Sequence, residues 1–478
     1  MYYFICNLLL FLAAITSFED LIIKFLPVPE KIFFYSRFLS ELSIYIAFIL
    51  VVANKLVKRI PLSRTPLDLP ILFFIGSAVI SIIVNHSPIF GSIVNLRPLL
   101  RFILLFYLIV NLKITVNQAS KITHTIIWAG TLQVAIGILQ YLSRGALDNL
   151  LLPRATDIDI GGVSKTYILL KTGREAGSIY GAAGDTVIYS VFLVLIFILI
   201  ISKRNIFFFG NNQENSVYSK KDITKILPLI GILFLFIAIA LTYVRSSLFA
   251  AIIIGLRHSA RTFGRVKTFI VLFLAMVLVI IVFTAIPPEF ISETKSTQKS
   301  IFSDITGIFT PEYINVAKKQ RLGALIGIVP TVIFNKPILG YGADQISAID
   351  GLNASKISFL TKVWTEEGFK DVYWAAILTF YGLAGLISMA WMFWRLYYCA
   401  KMIGKFSNEQ ITKEISLAVR YIVISTSFLL FLNRALEFRI YGFYFWLLPG
   451  LMFSLYIQEK NNSDNFVKKQ SVINEKYN

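Results

Sequence analysis

Apolar runs near 20 residues recur from one end of this chain to the other, and they constrain its fold more than any other feature. They fall at roughly 2–18, 34–53, 67–84, 98–112, 122–143, 185–202, 226–244, 247–262, 268–286, 372–394, 417–433 and 440–457. A helix rises about 1.5 Å per residue and needs about 20 residues to cross the hydrocarbon of a bilayer. Lipid offers no partner to a peptide group, so runs of this kind form helices, which satisfy their own backbones. The expected fold is an all-α, polytopic transmembrane bundle of about twelve spans over residues 1–458. Composition agrees, with 56% hydrophobic and 15% charged residues, whereas soluble domains carry about 25% charged residues. The hydrophilic stretch 459–478 reads as a disordered tail.

The net charge of +19 would point to nucleic acid in a soluble protein. Here much of the Lys and Arg sits in short loops between apolar runs. Lys55, Lys58, Arg59 and Arg64 follow the second run, and Lys203, Arg204, Lys220, Lys221 and Lys225 the sixth. Arg257, Arg261, Arg265 and Lys267 follow the eighth, and Arg395, Lys401, Lys405 and Lys413 the tenth. With an even number of spans all of these share one side with both termini, which the positive-inside rule makes the cytoplasm. No basic, aromatic-interleaved soluble module is present, so no nucleic-acid partner is expected. Cys6 and Cys399 support neither a disulfide framework nor a cysteine metal site. The three histidines show no metal-ligand spacing, and no phosphate-binding P-loop occurs.

Two longer segments face the other side, at about 144–184 and 287–371. The first contains "KTGREAGSIYGAAGD" and the second "KKQRLGALIGIVPTVIFNKPILGYGAD". Apolar residues at 322, 325, 326, 328, 329, 332 and 333 fit an amphipathic helix stopped by Pro337 and Gly340. Gly340-Tyr341-Gly342 then permits a tight turn with close backbone approach. Arginines are conspicuous on this face, where the positive-inside rule asks for none: Arg97, Arg101, Arg174, Arg245, Arg321, Arg434 and Arg439. Each alone suits a snorkelling or solvated side chain, but together they suit an anion, because the guanidinium fork binds phosphate bidentately and keeps its charge. Glu437 is placed to pair with Arg434 and Arg439. Asp371 opens the tenth span, where a carboxylate either caps the helix or serves as a general base; Glu366 and Glu367 lie nearby.

Four motifs, in order, resemble the bacterial O-antigen ligase and O-antigen polymerase superfamily of integral-membrane glycan transferases. They are "REAGSIYGAAGDTVIYSVFLVL", "LTYVRSSLFAAIIIGL", "QRLGALIGIVPTVIFNKPILGYGAD" and "DVYWAAILTFYGLAGL". The resemblance covers roughly residues 170–395. It implies a donor glycan on a polyprenyl diphosphate at the outer face of the plasma membrane, a glycan or lipid acceptor, and surrounding membrane lipids, with no metal or other cofactor. Arg245 and Arg321 would neutralise the diphosphate leaving group, Arg174 and Tyr341 would join them in holding substrate, and Asp371 would be the base. Asp371 stands where ligases of the family have histidine, which leaves a polymerase-like role with Asp371 as substitute base, or a divergent activity. A transporter or lipid-linked oligosaccharide flippase is the alternative that span number allows, although no half-to-half repeat of the usual transporter kind is visible. A non-catalytic membrane scaffold is the third.

Overall fold

The computed structural model describes residues 1–25, 38–143, 146–151, 178–203, 223–262, 321–354 and 372–477. The described chain is all-helical, with no strand among those residues. In order the helices are α1 (Tyr2–Ile15), α2 (Glu19–Lys24), α3 (Leu39–Val57), α4 (Asp68–Val84), α5 (Ile89–Leu100), α6 (Ile103–Val110), α7 (Val116–Leu142), α8 (Thr186–Ser202), α9 (Ile223–Leu241), α10 (Arg245–Thr262), α11 (Arg321–Asn335), α12 (Gln345–Ala354), α13 (Tyr373–Phe406), α14 (Gln410–Leu429) and α15 (Arg439–Tyr477). Four of them, α3, α7, α13 and α15, are long and apolar enough to cross a membrane, and α5 with α6 makes a fifth if the bent pair counts as one span. Several others, such as α1, α4 and α8, are apolar but shorter.

Burial sorts these helices into centre and rim. The apolar window of α15 is 89% buried and that of α3 only 28%, so α15 is axial and α3 peripheral. α8 is buried nearly all round, as expected of a helix apolar on every face. Outward-facing positions stay apolar, including Phe11, Ile49, Leu72, Phe73, Trp128 and Leu132. An apolar exterior of that extent suits lipid and not water. With lipid outside, burial of apolar surface gives little preference for one helix partner over another, and cross-helix hydrogen bonds add specificity. Tyr444 donates to the Ala13 carbonyl (2.9 Å), Ser454 to Leu112 (2.7 Å) and Tyr189 to Gln133 (2.7 Å). The hydroxyls of Ser190 and Ser247 meet at 2.8 Å, and those of Thr426 and Tyr441 at 2.6 Å.

Three features differ from what composition suggests. The run at 98–112 is the second half of a longer pair, α5 and α6, bent by 43° at Arg101-Phe102; Pro98 inside α5 removes a backbone donor near the bend. The run at 372–394 lies in a 34-residue helix that is broken at Gly382 (φ 63°, ψ −163°). The backbone after residue 458, where composition suggests disorder, is helical to Tyr477. Extending an existing helix avoids the costly nucleation step, so α15 can propagate into polar sequence.

Candidate functional site

Helix direction puts Arg245 at the same end of the bundle as the start of α13. α10 begins at Arg245, α14 ends at Leu429, and α13 begins at Tyr373. Tyr373 N–H donates to Leu430 (2.9 Å), and Asn433 reaches Ser246 beside Arg245 (3.5 Å). Arg245 is half-buried as the first residue of α10. A cation there opposes the helix dipole, whose positive end lies at the N-terminus. Tyr243 takes a positive φ of 57° in the turn just before it. The tight link from α9 to α10 places this guanidinium at the helix start.

The Gly-rich "SIYGAAGD" stretch packs beside that turn, with Ile179 N–H donating to Leu241 (3.2 Å). Two α7 glutamines hold its backbone. Gln140 accepts from Tyr180 and Gly181 N–H (3.1 Å each) and Gln133 from Ala182 N–H (2.9 Å). Gly181 has φ 53°, and a Cβ there would meet the Tyr189 ring at 2.5 Å. Asp185 caps α8, accepting from Val187 (2.8 Å) and Ile188 (2.9 Å) N–H. Asp185→Ala is expected to lower stability by about 1 kcal/mol, measurable as a lower Tm of the purified protein. Tyr180 donates to Asp148 (2.7 Å); burial, then this carboxylate, push its phenol well up, so it stays a donor.

The turn Gly340-Tyr341-Gly342 is built into the break in α13. An unbroken helix would pair Leu383 and Ala384 N–H with the carbonyls of Thr379 and Phe380. Here Leu383 donates to Pro337 (2.7 Å) and Ala384 to Ile338 (3.1 Å). The freed carbonyl of Thr379 accepts from Tyr341 (2.7 Å), and that of Phe380 from Gly342 (3.1 Å). Residues 337–342 are therefore inserted into the hydrogen-bond ladder of α13. Ser81 of α4 puts its hydroxyl 2.6 Å from the Leu339 carbonyl and 2.7 Å from that of Phe380. Asn85 donates to Gly340 (3.1 Å) and accepts from Lys336 (2.6 Å), and Asn95 donates to Ala343 (2.9 Å). A cavity of about 250 Å³ opens beside the insert, lined by Val84, Asn85, Lys336, Pro337, Ile338, Leu339 and Gly340. Tyr341 is buried, with its ring against Gly351 and below the Lys336 ammonium, 5.4 Å from its centroid.

The remaining arginines of this end divide differently from expectation. Arg101 and Arg97 pair with Glu41 at 2.9 and 3.4 Å. Arg439 pairs with Glu19 (3.2 Å) and Asp20 (3.0 Å) rather than with Glu437, which lies 3.8 Å from Arg434. Glu437 also lies close enough to Tyr373, at the start of α13, to act on its phenol. Burial raises the Glu19 carboxyl even though Arg439 pulls it down. Four carboxylates thus offset four guanidinium groups, and Arg97, Arg101 and Arg439 are engaged as structure. The partners Glu19, Asp20 and Glu41 sit near helix starts, where they look like ordinary caps in sequence; no spacing rule singles them out.

Arg174 and Asp371 lie outside the described residues, as do Glu366 and Glu367. Arg321 is the first residue of α11, and its side chain also lies outside the description. α11 is helical where expected and stops at Asn335 before Pro337. Of the residues expected on its apolar face, Ile328 and Val332 are fully buried, whereas Ile333 is 43% exposed. The N-cap of α13 is Val372, which makes no side-chain cap bond. Among the described residues no three His, Cys, Asp or Glu side chains form a metal-ligand group. No known family model matches the sequence, and no curated protein matches it.

Proposed function

We propose that the chain is an O-antigen ligase- or polymerase-like enzyme of the bacterial plasma membrane. In this reading about twelve spans place both termini in the cytoplasm and the 144–184 and 287–371 segments outside. The enzyme transfers or polymerises glycans carried on polyprenyl diphosphate at the outer face. The observation that carries the reading is the half-buried Arg245 at a helix start, on the same end as the Gly-rich stretch and the broken α13. A fixed guanidinium stabilises charge as it develops on a departing diphosphate, and it does so without reorganisation. In this reading Arg321 and Arg174 join Arg245 in holding the diphosphate, Tyr341 anchors the turn, and Asp371, one residue before the cap of α13, takes the acceptor proton. Protein groups supply the catalysis, with no metal or cofactor.

The transporter reading draws on the broken α13, since transporters use interrupted helices at their sites. Here, however, the insert fills the break and re-pairs its backbone groups. A deletion strain separates the two. Single lipid-linked repeat units accumulating on the outer leaflet, with loss of long surface glycan, are expected for the enzyme. Accumulation on the inner leaflet is the flippase result and would overturn the proposal. Asp371→Asn is expected to lower long-chain glycan at least about tenfold, the lower range for losing a general base being 10²-fold in rate. Glu367→Gln should leave it near wild type when both are read by surface-glycan gels.

A further inference from the structure

The opposite end of the bundle holds a second cationic cluster of different construction. Arg257 and Arg261 stand one turn apart on α10, and Arg420 comes from α14. Arg257 donates to the Tyr397 hydroxyl of α13 (2.9 Å), and Arg420 lies over the same ring, 5.5 Å from its centroid. The Tyr421 hydroxyl meets His258 Nδ1 at 3.4 Å and feels the charge of Arg261. Both tyrosines feel Arg257 and Arg420. Three guanidinium groups from two helices are thus drawn around two phenols.

At the site end Arg97, Arg101, Arg434 and Arg439 each have a carboxylate partner. Here, among the described residues, no carboxylate ion-pairs with Arg257, Arg261 or Arg420. The nearby acids are engaged elsewhere. Glu459 accepts from Ser407 (2.6 Å) and Asn408 (2.5 Å), and Glu414 accepts from Gln410 (2.8 Å) and faces Lys203. Nε of Arg420 is buried and makes no hydrogen bond. Like charges held this close repel, and a buried donor without an acceptor costs about 1–3 kcal/mol. An anion with several acceptor oxygens removes both penalties, and the planar fork of Arg matches phosphate in particular.

We infer that Arg257, Arg261 and Arg420, with Tyr397 and Tyr421, form a phosphate-binding site at the end of the bundle that carries the basic loops. Its ligand is a phosphate monoester or diphosphate, carried either by a lipid headgroup of that leaflet or by a soluble molecule. The site is independent of the activity proposed for the other end.

The test uses the full chain in phosphatidylcholine nanodiscs and reads Tm against two probes: phosphatidic acid mixed into the nanodisc, and inorganic pyrophosphate in the buffer. At least one should raise Tm in a saturable way. A shift with phosphatidic acid alone assigns a headgroup, and one with pyrophosphate alone a soluble phosphate. Arg420→Ala and Arg257→Ala should weaken the apparent affinity about tenfold or more, the loss of one charge-assisted bond. Arg420→Lys keeps the charge and should still bind less tightly, because it loses the fork; it serves if Arg420→Ala does not fold. Lys405→Ala, at the same end but outside the cluster, should bind as wild type. No shift with either probe, or an equal loss in Lys405→Ala, would overturn the site, the latter leaving only diffuse attraction to basic residues.

Discussion

Gly382→Ala is expected to abolish the folded protein. A Cβ at Gly382 would sit 2.3 Å from both the carbonyl carbon and the oxygen of Ile338, and those atoms are backbone that cannot swing aside. The backbone there has φ 63° and ψ −163°, a region open in practice only to glycine. The strain alone costs about 1–3 kcal/mol, and the overlap forces residues 337–342 out of the break. Four hydrogen bonds would then be lost together. Gly340→Ala should act through the same contact from the other side, because its Cβ would lie 2.3 Å from the Thr379 carbonyl oxygen. Gly76→Ala is the control, with nothing within 4 Å of the new Cβ. Fluorescence-detected size exclusion after heating should show loss of the monodisperse peak for the first two variants and wild-type behaviour for the third.

Glu41→Ala should be nearly as severe, for an electrostatic reason. Glu41 and Arg101 expose only 4% and 6% of their side chains and meet at 2.9 Å. Arg101 also donates to the Glu437 carbonyl (2.6 Å) and stacks on Phe102 (4.7 Å). Removing Glu41 leaves that guanidinium buried without its counter-charge, a loss of about 3–5 kcal/mol. Replacing the pair together, as Glu41→Leu with Arg101→Met, should recover much of the loss, since an apolar pair of similar volume needs no desolvation of charge. A double mutant no more stable than Glu41→Ala would mean that Arg101 is held for another reason, such as its bond to Glu437. The measurement is Tm of the detergent-solubilised variants.

The helical, apolar character of the chain was legible because lipid imposes one solution on a long apolar run. Where charge and glycine decide the structure, sequence said less. Gly340-Tyr341-Gly342 pointed to a turn with close backbone approach, and that is what residues 337–342 do. That the approach is into the ladder of α13 depends on Gly382, 40 residues further on, and on Ser81 of α4. A contact between segments so far apart leaves no periodic mark. The arginines were visible as a group on one face, yet only three-dimensional pairing shows that Arg101 is neutralised by Glu41 and Arg439 by Glu19 and Asp20. The expected pair of Arg439 with Glu437 rested on nearness in sequence, and the α2 carboxylates Glu19 and Asp20 outcompete it in space. The bend at Arg101-Phe102 was hidden because its two halves together have the length of one span.

Arg245→Ala tests the account most directly. With the variant produced and inserted at wild-type level, the length distribution of surface glycan should collapse to single or very short repeats, and lipid-linked units should build up on the outer leaflet. Arg97→Ala, which removes only the longer and more exposed of the two contacts to Glu41, should leave long glycan in place. A wild-type length distribution in Arg245→Ala would remove this arginine from the chemistry and contradict the reading.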